Sequence, residues 1–116
     1  MKGGWFIGNF EPSAFKTKNF EVAYTKHKKN SPWPKHYHKK ATEITLIVKG
    51  KLKINNETYS EGDLLVVYPN EIVDPIFLED VEFVVVKTVS DVNDKYILEK
   101  WLIYFHIVHY SMELNI

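Results

Sequence analysis

The interpretation of this sequence begins with residues 35–43, which read KHYHKKATE. On an extended chain alternate side chains point to the same face, so His36 and His38 share one face. Two imidazoles placed in this way suit a divalent metal ion. Glu43 lies five positions after His38 and would face the other way on a straight strand. It can join the histidines only if the chain bends within the polar stretch 39–42.

The sequence on both sides of this segment follows the two-residue period of β-strands. Residues 20–25 alternate apolar and polar side chains, residues 43–48 are mostly β-branched or apolar on both faces, and Val81 to Val89 predicts a long strand. Turn signals separate these runs about every 8–12 residues, which is typical of an all-β sandwich or barrel. They fall at Lys49-Gly50-Lys51, Asn55-Asn56, Glu61-Gly62-Asp63, Pro69-Asn70-Glu71 and Asp74-Pro75. The last of these predicts a sheet edge or a bulge, because proline cannot donate to a ladder.

The C-terminal segment is ambiguous. Residues 90–94 contain helix-capping side chains, and apolar residues recur at helical spacing after them, although their β-branched and aromatic content also allows a strand. These residues are Leu98, Trp101, Leu102, Phe105, His109 and Met112. We expect a helix over 96–112, with His106 and His109 on an amphipathic face rather than in a second metal site. His27, in a lysine-rich stretch, is expected to be solvated.

Composition excludes several classes of function. The 116 residues suit one domain, and the 45% hydrophobic content is enough for a core. The chain has no cysteine, which excludes disulfides and thiolate sites, and it has no arginine for bidentate anion binding. No secretory signal is evident at the N-terminus, and the longest apolar stretch, Trp101 to Val108, is too short to span a bilayer. We therefore expect a cytoplasmic protein that does not enter a membrane.

The charges are unevenly distributed although they sum to zero. Residues 1–58 carry 12 lysines and four acidic residues, whereas residues 59–116 carry three lysines and 11 acidic residues. This division produces a macrodipole unless the two halves interleave in a sheet. Eight lysines lie between Lys16 and Lys40, close to Trp33 and Tyr37. They could form a nucleic-acid surface or guide an anionic small molecule, and the neutral total argues against the nucleic acid.

The spacing His36-x-His38-x4-Glu43-x6-Gly50 resembles the first conserved motif of the cupin superfamily. Gly62 and Pro69 resemble parts of the second motif, with a gap one residue longer than usual. Glu71 stands in place of that motif's second glycine, and Asp74 stands in place of its histidine. Asn30 occupies a position where the first motif often opens with glycine. The resemblance covers about residues 20–90 and implies a double-stranded β-helix, that is, a jelly-roll barrel.

The same resemblance implies a metal site in the mouth of the barrel. His36, His38, Glu43 and Asp74 would hold a divalent transition metal such as iron, manganese, nickel or zinc. Trp33, Tyr37 and Tyr68 are expected to line a substrate pocket in the mouth, and Glu71 is expected to move a proton. A single cupin domain is expected over 1–116, with a barrel core at about 20–90 and a tail at about 91–116.

Two functions remain open at this point. The first is a metal-dependent enzyme, an isomerase, epimerase or dioxygenase, acting on a small polar or anionic molecule such as a sugar or keto acid. The second is a non-catalytic cupin that binds a small ligand or a protein partner without metal. In either case the strands that are apolar on both faces favour a homodimer, because one small barrel covers only one of those faces.

Overall fold

The computed structural model of the chain describes residues 3–98, which contain ten β-strands and no helix. The strands are β1 (Trp5–Ile7), β2 (Glu21–His27), β3 (Lys35–Tyr37), β4 (Thr42–Lys49), β5 (Lys51–Ile54), β6 (Glu57–Ser60), β7 (Leu64–Val67), β8 (Pro75–Phe77), β9 (Val81–Thr88) and β10 (Tyr96–Leu98). The all-β prediction is therefore confirmed for this part of the chain. Residues 3–98 contain no helix with the length and apolarity of a membrane span.

The strands form three antiparallel sheets that enclose one core. The large sheet has the order β1-β2-β9-β4-β7, and the smaller sheets have the orders β6-β5-β8 and β10-β3. A β-bridge between His36 and Val73 joins the two smaller sheets into one wall. The core cluster between the walls is apolar and comprises Ile47, Leu52, Leu65, Phe77, Val81, Phe83 and Val85. Its burial supplies most of the driving force that closes the barrel.

The turns form where the sequence predicts them. Asn55 has φ 57° between β5 and β6, a left-handed conformation that asparagine tolerates well. Gly50 has φ 92°, and a Cβ atom there would lie 2.1 Å from the carbonyl oxygen of Asp80. Only glycine fits this close approach, which explains why the motif ends on it. Pro75 opens β8, an edge strand of its sheet, as the sequence predicts.

Within residues 3–98 the two charge halves interleave, as the sequence allows when strands from both halves pair in one sheet. Lysines of the first half pair with acids of the second half, because β2 lies antiparallel to β9 and the loops beside them are brought together. Lys26 reaches Glu82 at 3.5 Å, Lys28 reaches Asp80 at 3.4 Å, and Lys40 reaches Asp91 at 2.8 Å. Exposed pairs of this kind contribute little to stability, but they remove the charge separation.

The prediction of a helix over 96–112 is wrong for residues 96–98. Tyr96, Ile97 and Leu98 form β10, which pairs with Tyr37, His36 and Lys35 of β3. Pairing with an existing strand satisfies the backbone groups of β10, which local helical spacing cannot anticipate. The rest of the expected helix, including Trp101, His106 and His109, lies outside the described residues.

Candidate metal centre

The structure brings His36, His38 and Glu43 together. Their ligand atoms all lie within 4.8 Å of one another. The two rings are 5.4 Å apart, and Nε2 of His38 lies 3.2 Å from Oε2 of Glu43. His36 and His38 are only 5% and 6% exposed, so the cluster is shielded from bulk water. This arrangement is the one that residues 35–43 predict.

The bend that brings Glu43 to the histidines is held by Asp94. The Asp94 carboxylate accepts hydrogen bonds from the backbone N–H groups of Lys39, Lys40 and Ala41, at 2.9–3.1 Å. The Asp94 carbonyl oxygen also lies 3.4 Å from Nδ1 of His38. Asp94 is itself buried. A charged acceptor with three donors fixes the reversal of direction between β3 and β4.

The histidines are oriented for coordination through Nε2. Nδ1 of His36 donates to the carbonyl oxygen of Pro34 at 2.8 Å, and such a contact sets the tautomer of a ligating imidazole. Burial, aided by the charge of Lys87, lowers the pKa of His38 to about 4, and burial raises the pKa of Glu43. In the absence of a cation, the lowered pKa favours neutral His38 and the raised pKa favours protonated Glu43. The donor set, two neutral imidazoles and one carboxylate, fits a divalent transition metal.

The second motif segment does not reach this cluster. Asp74 is exposed, whereas its neighbours Val73 and Pro75 are buried and line the cavity. Side chains alternate along an extended segment, so Asp74 points away from the barrel. The backbone of Asp74 instead pairs with Asn55. The expectation that Asp74 completes the ligand set is therefore not met in this structure.

Three further expected site residues also lie outside the cavity. Glu71 is exposed in the turn before Val73, and Tyr68 is 60% exposed. Tyr37 lies on the opposite face of β3 from His36 and stacks on Tyr96 with ring centroids 5.2 Å apart. Of the three aromatic residues proposed to line the pocket, only Trp33 does so, with its ring 6.4 Å from that of His36.

The cluster lies in the wall of a cavity of about 970 Å³ between the sheets. Its floor includes an unusual charged row across the large sheet, in which Lys87 of β9 stands between Glu21 of β2 and Glu43 of β4. Residues in register share a face, and all three side chains line the cavity. Burial raises the pKa of Glu21, and the charge of Lys87 opposes that rise.

Sequence reasoning missed Glu21, Lys87, Lys95 and Asp94 as site residues. A charged residue within an apolar strand, as at Glu21 and Lys87, was the available signal for two of them. The expectation that His27 is solvated is also wrong, because His27 ends β2 and its side chain lines the cavity. Its ring stacks on Phe77 at 4.7 Å and meets the edge of Trp33 at 4.5 Å.

Comparison with known proteins supports the architecture. No family model matches the chain, and no curated protein matches it. Among solved structures, it is similar to a Klebsiella pneumoniae protein with a double-stranded β-helix domain, at 17% identity, TM-score 0.64, and coverage of 72% of this chain and 74% of that one. A nucleoside dehydratase from Streptomyces, also solved with uridine, has 15% identity, TM-score 0.61, and coverage of 72% and 71%.

A third similar structure is an RmlC-like cupin from Ralstonia eutropha, with 16% identity, TM-score 0.56, and coverage of 84% of this chain and 69% of that one. Identities this low concern the fold and not the activity. They agree with the all-β barrel architecture of this chain. The chain therefore has a double-stranded β-helix fold.

Proposed function

We propose that this protein binds one divalent transition metal ion through His36, His38 and Glu43 and acts on a small polar or anionic molecule in the adjoining cavity. The observation that carries this proposal is the convergence of three ligand atoms within 4.8 Å at the wall of a cavity of about 970 Å³. Three protein ligands leave coordination positions open for substrate or water, as in catalytic metal sites.

The chemistry proposed is that of an isomerase, an epimerase or a dioxygenase. A divalent ion held by these residues supplies Lewis acidity toward a carbonyl or hydroxyl oxygen. Trp33 provides an apolar wall beside His36, which orients the substrate and excludes water. Glu21 replaces the exposed Glu71 as the carboxylate that moves a proton, since it lines the cavity and burial raises its pKa.

Metal uptake is the first test of the proposed function. The purified protein is stripped with a chelator and offered Fe²⁺, Mn²⁺, Ni²⁺ or Zn²⁺ singly, and bound metal is counted by elemental analysis after gel filtration. We expect one equivalent of at least one ion for the parent protein and less than a tenth of an equivalent for His36→Ala. A parent protein that binds none of the four would contradict the metal centre and leave the metal-free, non-catalytic ligand binder as the function.

Turnover is tested separately from metal binding. The loaded protein is incubated in D₂O with small sugars and keto acids, and proton exchange at carbon is followed by NMR, which reports isomerase and epimerase chemistry. Oxygen consumption reports dioxygenase chemistry. Glu21→Gln should abolish exchange at carbon while it leaves metal content unchanged. Exchange at the parent rate in Glu21→Gln would remove Glu21 from the mechanism.

We further propose that two copies of the chain pair through the outer face of the large sheet. Two registered rows on that face are apolar across β2, β9, β4 and β7. The rows are Tyr24-Val84-Leu46-Leu64 and Val22-Val86-Ile44-Val66. Leu64 is 62% exposed, and a contiguous apolar patch of this kind is self-complementary across a two-fold axis.

Light scattering tests the proposed dimer. We expect a dimer for the parent at micromolar concentration and a monomer for Leu64→Lys, because a charge would be buried against the apolar rows of the partner. Ile76→Lys is the matched control, since Ile76 is an exposed apolar residue of β8, outside the large sheet. A monomeric parent would contradict the pairing.

A further inference from the structure

Two lysine ammonium groups line the cavity beside the candidate metal centre. Nζ of Lys95 lies 4.7 Å from the ring centroid of Trp33, and Nζ of Lys87 lies 4.7 Å from that of Trp5. Within residues 3–98, no carboxylate oxygen lies within 4.0 Å of either nitrogen. Both cations therefore rest on aromatic faces, where they keep their hydrogen-bond donors available.

Both charges are felt at the metal cluster. Lys87 and Lys95 each lower the pKa of His36 and of His38, and each opposes the rise in the pKa of Glu43. Lys95 also lowers the pKa of His27, deeper in the aromatic part of the cavity. Lys87 and Lys95 line the same cavity as the three candidate ligands, although Lys95 is an exposed residue of the loop before β10.

A metal ion would add positive charge to a cavity that already holds two lysines. Lys87 and Lys95 line it together with the carboxyl groups of Glu21 and Glu43, while the Asp94 carboxylate already accepts hydrogen bonds from three backbone N–H groups. A divalent cation would leave excess positive charge in a partly buried space, which is unfavourable unless an anion enters. An anionic substrate offsets that charge.

We propose that the substrate carries a carboxylate that binds between Lys87 and Lys95, with a neighbouring hydroxyl or carbonyl oxygen directed toward His36, His38 and Glu43. This inference rests on the proposed function, whose substrate class it narrows to hydroxy and oxo acids. A carboxylate is favoured over a phosphate, because phosphates are typically held by helix N-termini or glycine-rich loops, and the described residues contain no helix. Because the chain has no arginine, lysine supplies the positive charge that binds the carboxylate.

The experiment compares lactate with propane-1,2-diol, a pair that differs only in the carboxylate. The two indole N–H signals of Trp5 and Trp33, assigned with Trp→Phe variants, are followed by ¹⁵N NMR during titration of metal-free and Zn²⁺-loaded protein. Charge-assisted hydrogen bonds of this kind predict about ten-fold tighter binding of lactate than of the diol. The preference should be present in both forms and weaken as salt is added.

Lysine variants separate this subsite from the metal. Lys95→Met should reduce the lactate preference of the metal-free protein at least five-fold, and Lys95→Arg should restore most of it. Lys39→Met is the matched control, because Nζ of Lys39 also lies over an aromatic ring, that of Tyr96 at 4.4 Å, but outside the cavity. It should retain the parent preference. If Lys87→Met unfolds the protein, the variants Lys95→Met and Lys95→Arg still test the carboxylate subsite.

The possible failures are distinguishable. Equal binding of lactate and diol by a protein that takes up Zn²⁺ would overturn the lysine subsite and leave the metal centre intact. Lactate preference in the metal-free protein, together with no uptake of any metal, would support the lysine subsite and overturn the metal centre. Tighter binding of glycerol 3-phosphate than of lactate would overturn the carboxylate assignment.

Discussion

The segments 35–43 and 69–75 resemble parts of the first and of the second cupin motif, and their side chains take different positions in the structure. The first places His36, His38 and Glu43 within 4.8 Å of one another. The second turns Asp74 to the surface and presents Val73 to the cavity, where its backbone pairs with His36. A shift of one residue in an extended segment exchanges inward and outward faces, and the gap from Gly62 to Pro69 is one residue longer than the usual motif.

This contrast shows that spacing within one extended segment predicts where a side chain points, whereas spacing across a turn does not. The distance between two histidines two positions apart in one extended segment is set mainly by covalent geometry, so it depends little on changes elsewhere in the barrel. The direction of a residue after a turn depends on how the turn is built. Here Asn70, with φ 69°, donates its N–H to the carbonyl oxygen of His38 at 2.6 Å, and this contact helps to set the register of the chain that follows.

The largest expected effect compares the two segments directly. His36→Ala should weaken metal binding by more than about 100-fold, since loss of a direct ligand exceeds the 10–100-fold cost of losing an outer-shell partner. Asp74→Ala should leave the affinity within about two-fold of the parent, because Asp74 faces solvent. Competition against a chelating dye measures both. A large loss in Asp74→Ala would return Asp74 to the ligand set.

The next expected effect concerns the bend that gives the first segment its geometry. Asp94→Ala removes the acceptor for three backbone N–H groups, which should lower the free energy of unfolding by about 1–3 kcal/mol and the metal affinity by about 10-fold or more. Thermal unfolding and metal titration measure the two quantities. Asp91→Ala is the control, since it loses the partly exposed pair with Lys40 and one exposed hydrogen bond from the N–H of Asn93, and it should cost less than Asp94→Ala.

Adding a histidine at residue 73 or 74 tests which of the two side chains faces the metal cluster. Val73→His should place a third imidazole beside His36 and raise metal affinity about ten-fold, because nitrogen ligands bind transition metals well. Asp74→His should leave the affinity unchanged, since that side chain faces outward. The same dye competition measures both variants. A higher affinity in Asp74→His than in Val73→His would reverse the facing described for residues 73 and 74.

The smallest expected effect is a pH dependence of the metal-free protein. The pKa of His38 is about 4 in the fold and 6.5 in the unfolded chain, so below pH 6.5 the unfolded chain binds a proton that the folded chain does not. The free energy of unfolding should therefore fall as pH decreases from 6.5 toward 4, by about 1 kcal/mol at pH 5.5 from this group. The raised pKa values of Glu21 and Glu43 act in the opposite direction.

The difference between parent and variant isolates the His38 contribution. His38→Gln lacks the titrating imidazole, so its unfolding free energy, measured in urea at pH 7.0 and 5.5, should fall less than that of the parent. The chelator is kept in the buffer throughout, because bound metal would mask the effect. Equal pH dependence in the two proteins would contradict the depressed pKa of His38.

The sequence alone determined the features that depend on neighbours along the chain. Alternation, apolar runs and turn signals predict strands between residues 20 and 89, and alternation places His36 and His38 on one face. Positive φ at Asn55 and Gly50 explains the hairpin turns. The polar stretch 39–42 allows the bend toward Glu43, although nothing in it identifies what holds the bend. These predictions succeeded because each depends on covalent geometry and local sterics.

Tertiary structure decided everything that joins distant residues. Asp94 reaches the bend from 53–55 positions away, and β10 forms where helical spacing predicts a helix because β3 offers a strand edge. Lys87 and Lys95 enter the cavity through the pairing of β9 and the path of the loop before β10. Asp74 and Val73 exchange their expected faces through one turn. Hydrogen bonds and burial between segments remote in sequence set these positions, and local periodicity does not encode them.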